Sequence, residues 1–293
     1  MTQVQRPQIF NPNPSKPRLR LPPGSWDTHC HVLGPTDKYP YASTTTINPA
    51  DAPKEKLFAL HEYLGIERCV IVHTATHGMD LRATEDAVAA KRGVYLGVAL
   101  LPSDVGAAEI GRLDKLGFRG VRYNFMPHLH ESDSIDQVMA LTPRLADAGW
   151  HLQIHMHGSY IADMGAKLER SPVPVVIDHI GRIDAAQGFE QPAFQHLLRL
   201  MQSPKMWVKV SGMDRITQQG PPYADAVPFA RKLMAEFPDR VVWGTDWPHP
   251  HHKGPIPDEG QLVDLIAEIA PSDQLIRKLM VENPRRLYEM RAA

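Results

Sequence analysis

Cysteine is nearly absent from this chain. Cys30 and Cys69 are the only two in 293 residues, and each lies in an apolar, strand-like run. Two thiols do not make a disulfide scaffold, so a reducing, cytoplasmic setting is the expectation. No basic stretch followed by an apolar run opens the chain, and the longest apolar runs are strand-sized. Neither a secretory leader nor a membrane span is expected. An excess of either charge is also missing, with 32 Lys+Arg against 33 Asp+Glu, which argues against a nucleic-acid partner. No Gly-x-Gly-x-x-Gly follows the first apolar run, which disfavours a dinucleotide-binding, doubly wound sheet. What the chain does have is histidine, 15 of them, many grouped with Asp, Gly and Pro.

Residues 1–25 hold Pro7, Pro12, Pro14, Pro17, Pro22 and Pro23. Proline fixes φ and removes a donor, so this stretch reads as an extended arm, either wrapped on the domain or a neighbouring subunit, or trailing free. From residue 26 on, eight β-branched runs alternate with helical stretches: 26–32, 68–74, 94–100, 120–124, 151–155, 173–178, 207–211 and 240–245. Runs such as Cys69-Val70-Ile71-Val72 are apolar on both faces, as in strands of a parallel sheet covered by helices. Helical patterns fill the intervals: 54–63, 84–92, 107–116, 135–148, 161–168, 192–201 and 226–237. Eight such units predict one α/β domain over residues 26–293, a (β/α)8 TIM barrel with further helices in 261–290. There Asn283 is a candidate cap, with Pro284 at the first helical position.

The first strand ends His29-Cys30-His31. Residues i and i+2 share one face of a strand, so two imidazoles stand side by side and suit one metal ion. A lone His-x-His is more often a pair of hydrogen-bonded or surface histidines. Its weight here comes from the other strand ends, where barrel chemistry collects. They carry His73, Arg122-Tyr123-Asn124, His155-Met156-His157, Asp178-His179, Lys209 and Thr245-Asp246-Trp247-Pro248-His249, and only the third lacks an ionisable group.

These stretches resemble the amidohydrolase superfamily, and within it the branch of the 2-pyrone-4,6-dicarboxylate lactonases. The likeness is carried by WDTHCHVLGP (26–35), GVRYNF (120–125), VVIDHIGR (175–182), VWGTDWPHP (242–250) and NPRRLY (283–288). It implies that His29 and His31 are metal ligands. It also implies that Asp246 takes the proton of the attacking water and binds metal, and that His179 polarises the scissile carbonyl or handles protons. Arg122 and Arg215 match positions that hold substrate carboxylates, a task that suits the planar guanidinium fork. Asn124, His128, His157 and His249 complete the expected substrate-binding set. The pyrone lactonases are metal-independent, with Tyr at the end of strand 5. This chain has His155 there, which completes a set of His29, His31, His155 and Asp246 for one divalent ion, Zn2+ preferred. His157 lies on the same strand face and is an alternative to His155. At His128 the lactonases carry another arginine, which puts the dicarboxylate pyrone itself in question.

The expected function is opening of a small anionic lactone, such as a carboxy- or sulfo-substituted muconolactone or pyrone, in aromatic-compound breakdown. A metal-dependent non-oxidative decarboxylase, a lactone isomerase and a non-catalytic binding barrel are the rivals. Homo-oligomerisation is left open.

Overall fold

The computed structural model describes residues 6–127 and 133–289. Eight strands, β1 (Trp26–Cys30), β2 (Arg68–Val72), β3 (Tyr95–Ala99), β4 (Phe118–Phe125), β5 (His151–Met156), β6 (Val175–Ile177), β7 (Met206–Lys209) and β8 (Val241–Val242), pair in parallel in that order. The segment after β8 closes the sheet onto β1. Thr28 N donates to Trp243 O (3.0 Å), Asp246 N to His29 O (2.7 Å) and His31 N to Trp247 O (2.7 Å). Gly244 permits that approach, because a Cβ there would lie 2.5 Å from His29 N. The (β/α)8 barrel expected from the run pattern is therefore the fold. β8 is shorter than the run that announced it. Asp246 takes a left-handed φ of 63° just past its end, which turns the chain out of the ladder.

Helices α1 (Lys54–Leu64), α2 (Arg82–Ala90), α3 (Ala107–Leu116), α4 (Ile135–Ala148), α5 (Ile161–Leu168), α6 (Pro192–Leu200) and α7 (Val227–Glu236) surround the strands. Short helices α8 (Glu259–Asp264), α9 (Ile266–Ile269), α10 (Asp273–Arg277) and α11 (Asn283–Tyr288) complete the chain. The strand residues divide with period two. Cys69 and Ile71 of β2 join the core under the helices, while Val70 and Val72 pack inside the barrel with Trp26, Leu96 and Val98. Tyr288 of α11 joins this inner group, so α11 plugs the barrel floor. Asn283 does not cap α11. It is the helix's first residue, following a π-helical turn (Lys278–Glu282), and its Nδ2 donates to Pro238 O (2.9 Å) and Val241 O (2.8 Å). The described part of the arm lies on the barrel. Asp258 accepts from Asn11 and Ser15, Asp264 accepts from Arg18 and Leu19, and the buried Phe10 ring sits 5.3 Å from that of Trp247.

Below the catalytic end, His151 at the start of β5 is buried. Its Nδ1 donates to Arg119 O (2.8 Å) and its ring meets Tyr288 edge-on. Burial, and then Lys209, push it down to about 4. An unfolded histidine titrates near 6.5, so as pH falls from about 6.5 to about 4 the unfolded chain takes up a proton that the folded chain refuses. Stability contributed by the neutral ring is complete above about pH 6.5 and is lost across that window. His151 alone accounts for on the order of 3 kcal/mol. Urea midpoints measured from pH 7 to pH 4 should fall, and less steeply in His151→Gln; equal slopes for the two proteins would refute this assignment.

Candidate metal and lactone site

The strand ends build the site in two layers. At the rim, Asp246 is fixed through its neighbours. Asp27, buried at the start of β1, accepts from His29 N (2.9 Å), Thr245 N (3.1 Å) and Thr245 Oγ1 (2.6 Å), which locks the end of strand 8 to the first histidine. Thr245 Oγ1 in turn accepts from Trp247 N. Asp246 then divides its two oxygens. Oδ2 accepts from Arg215 Nε (2.8 Å) and Nη2 (2.7 Å). Oδ1 faces His31 Nε2 (3.3 Å), His29 Nε2 (3.6 Å) and His179 Nε2 (3.8 Å). Burial alone would raise the Asp246 carboxyl, but Arg215 and then the imidazoles outweigh it and hold it well below the ordinary carboxylate range. It is an anion at neutral pH.

Three of the histidines, His29, His155 and His179, are held neutral. Burial, opposed by Asp178, keeps His29 well below its ordinary value; burial and then Arg122 do the same for His155; burial brings His179 to about 4. In a neutral ring one nitrogen carries the proton and the other a lone pair. His31 Nδ1 lies 2.6 Å from Val72 O, which only accepts, so that nitrogen carries a proton, and its Nε2 stands 3.3 Å from Asp246 Oδ1. His155 Nδ1 lies 3.1 Å from Asn124 Oδ1, which leaves Nε2 bare. The buried Nε2 atoms of His29 and His155 have no hydrogen-bond partner. An unpartnered imidazole lone pair 3.6 Å from an ionised carboxylate oxygen, as at His29 and Asp246, suits a cation between them, and this is the observation by which the residues fit a metal. Donor atoms of His29, His179 and Asp246 lie within 4.8 Å of one another. Donor set and family together support a divalent metal.

Beneath the rim lies a charged layer. Asp178 Oδ2 accepts from Arg122 Nε (2.8 Å) and Gln153 Nε2 (3.0 Å). Lys209, with no exposed surface, donates to Thr28 O (2.8 Å) and Gln153 Oε1 (2.9 Å). Burial brings Lys209 down to about 8.

A cavity of about 690 Å³ opens onto these groups, lined by His31, Arg122, His155, His179, Arg215 and Asp246, with Asn124 on its wall. Other expected residues fall elsewhere. His157 is exposed beyond the end of β5, where its Nδ1 sits 2.9 Å from Ser159 Oγ, so His155 is the strand-5 imidazole that faces the site. The strand stops at Met156 and the same-face rule stops with it. His249 is buried with its Nε2 3.1 Å from Glu259 Oε1; it does not line the cavity, but a ring nitrogen of it lies within 4.8 Å of carboxylate oxygens of Asp246 and Asp214, behind the rim. His128 lies outside the described residues.

Arg182 was passed over in the strand-end reading. It lines the cavity, and among the described residues no carboxylate stands within ion-pair distance of it. Burial and then Arg215 bring it down to about 10, still a cation. It lies four residues past Asp178, beyond the strand, in a turn where His179, Ile180, Gly181 and Arg182 all have positive φ. That turn points the guanidinium back inward. The VVIDHIGR stretch contains Arg182, but its spacing gives no sign of the turn. A second cavity of about 720 Å³ shares Arg122 and Asn124 with the first and is walled by Leu100 and Leu101, from the one strand end without an ionisable group.

A family model described as amidohydrolase matches residues 26–290. The chain is 42% identical over 285 residues to a 2-pyrone-4,6-dicarboxylate hydrolase of Comamonas testosteroni, covering 94% of this chain and 93% of that protein. It is 40% identical over 275 residues to a 4-sulfomuconolactone hydrolase of Hydrogenophaga intermedia, covering 92% and 90%. Among solved structures, one described as a putative 2-pyrone-4,6-dicarboxylic acid hydrolase from Pseudomonas putida superposes with a TM-score of 0.80 at 31% identity, covering 93% of this chain and all of that one.

Proposed function

The chain belongs to the amidohydrolase family, and on that premise we propose that it is a lactone hydrolase, acting on the carboxylic ester bond of a small anionic lactone of the kind formed in aromatic-compound catabolism. The observation that carries the reading is the ionised carboxylate of Asp246 ringed by the imidazoles of His29, His31 and His179 at the mouth of a cavity lined by three arginines. Relatives acting on a pyrone dicarboxylate and on sulfomuconolactone share this chemistry of one cyclic ester and two anionic groups. Free thiols at Cys30 and Cys69 accord with a cytoplasmic enzyme.

His29, His31, His155 and Asp246 would hold one divalent ion, Zn2+ by the chemistry of an imidazole–carboxylate set, with His179 close enough to replace one of them. When bound, the metal acidifies water and polarises the ester carbonyl. The protein's own groups do the rest. Arg182, with no carboxylate in ion-pair distance among the described residues, takes one substrate anion, and Arg122 and Arg215 flank it. Their fork geometry fixes the ring so that its carbonyl carbon faces Asp246. Asp246 Oδ1 accepts the proton of the attacking water and returns it to the departing oxygen. His179, neutral and 3.0 Å through Nδ1 from Ser211 Oγ, can accept there and donate from Nε2 to the developing oxyanion.

The decisive experiment pairs metal analysis with a lactone screen: a ring-opened acid formed without CO2 supports hydrolysis, and CO2 release would favour decarboxylation. Arg182→Met should raise KM about 10- to 100-fold, the worth of a charge-assisted hydrogen bond, with kcat within about threefold. An unchanged KM would remove Arg182 from the substrate site.

A further inference from the structure

We propose that Asp178 and Lys209 act on His29 as an opposed pair of positioning residues: Asp178 fixes the ring proton on Nδ1, so that the Nε2 lone pair faces the rim, and Lys209 limits how strongly that lone pair binds a cation. The second half rests on the reading of His29 as a metal ligand; the first does not.

All three side chains are shut off from solvent. His29 Nδ1 stands 3.3 Å from Asp178 Oδ1 and 3.3 Å from Lys209 Nζ. An ammonium only donates and a carboxylate only accepts, so the two neighbours ask for opposite tautomers. Counting partners decides between them. Two of the three Lys209 protons go to Thr28 O and Gln153 Oε1, and the third has Asp178 Oδ1 at 3.7 Å as an alternative to the ring. Asp178 Oδ2 already has Arg122 and Gln153, whereas Oδ1 has no hydrogen-bond donor unless His29 supplies one. A proton on Nε2 would be a buried donor with no acceptor in range, since Asp246 Oδ1 is 3.6 Å away. An orphaned buried donor costs more than a bare lone pair. The Nδ1–H form therefore satisfies the carboxylate and leaves Nε2 open. A carboxylate behind an imidazole makes the far nitrogen a better ligand, and a fixed cation on the same nitrogen's side draws electron density the other way and repels an incoming ion.

The test uses the full chain. In 15N-labelled, metal-free protein, the imidazole resonance lost in His29→Gln should show the proton on Nδ1; a proton on Nε2 overturns the proposal. Zinc affinity, read by competition with a chromophoric chelator, should fall about 10- to 100-fold in Asp178→Asn and rise at least about threefold in Lys209→Met. A purely structural role would weaken binding in both. Two changes of the same sign, or no change in either, overturn the proposal. Lys209→Gln keeps a donor for Thr28 O and Gln153 and should also bind more tightly, which covers misfolding of the Met variant. If neither the parent nor any variant binds zinc, the metal reading fails, and the tautomer alone supports or overturns the role of Asp178.

Discussion

Asp246→Asn should lower kcat on a lactone substrate by about 10²- to 10⁴-fold, the range expected when a positioned general base is removed. The amide keeps the shape but cannot take the proton of water. The effect on KM should be small, because Arg182 remains to hold the anion. Arg215 exchanges a charged acceptor for a neutral amide oxygen, and Asp214, 3.2 Å from its Nε, is the carboxylate that remains. That leaves a buried guanidinium partly uncompensated, so a loss of stability of a few kcal/mol should accompany the change. Activity is therefore to be compared at a temperature where circular dichroism shows both proteins folded. A variant that retained more than about a tenth of the parent kcat would exclude Asp246 as the base.

Removing the metal should have an effect of similar size. Lewis-acid polarisation supplies several kcal/mol of transition-state stabilisation, so dialysis against a chelator should reduce kcat/KM by about 10³-fold or more, with recovery on adding Zn2+. The structural ground is local: the buried Nε2 atoms of His29 and His155 have no hydrogen-bond partner, and those of His29 and His31 stand 3.6 and 3.3 Å from Asp246 Oδ1. Full activity in protein that carries less than about one metal per ten chains would defeat the assignment of His155. Asp246 and His179 would then have to open the lactone without a metal, with Arg215 setting the carboxylate's charge.

Much of this was legible in the chain. Strand and helix order could be read because buried parallel strands are apolar on both faces and the helices between them carry a 3.6-residue stripe. The ends of β1, β5 and β6 were placed within a residue or two, which put His29, His31, His155 and His179 at one mouth. Geometry past the strand ends could not be read. His157 and His155 share a face only while the pleat continues, and it stops at Met156. His249, three positions from Asp246, does stay beside that carboxylate, but the loop pairs it with Glu259 behind the rim and keeps it off the cavity wall. Arg182 gave no signal, because four consecutive positive φ values, not a spacing, return it to the cavity.

By itself the sequence determined the barrel, the family and the inventory of acids, bases and cations at the strand ends, because those depend on residue type and periodicity, which are local. Tertiary structure alone decided which groups neutralise one another. Arg215 is committed to Asp246 and Arg122 to Asp178, so that Arg182 is the cavity's arginine left without a carboxylate in ion-pair distance among the described residues. Which nitrogen of each imidazole is held as a donor was decided in the same way, by carbonyl and amide oxygens from neighbouring strands: Val72 for His31, Asn124 for His155. Hydrogen-bond pairing inside a barrel is a contact between distant positions, and no local pattern encodes it.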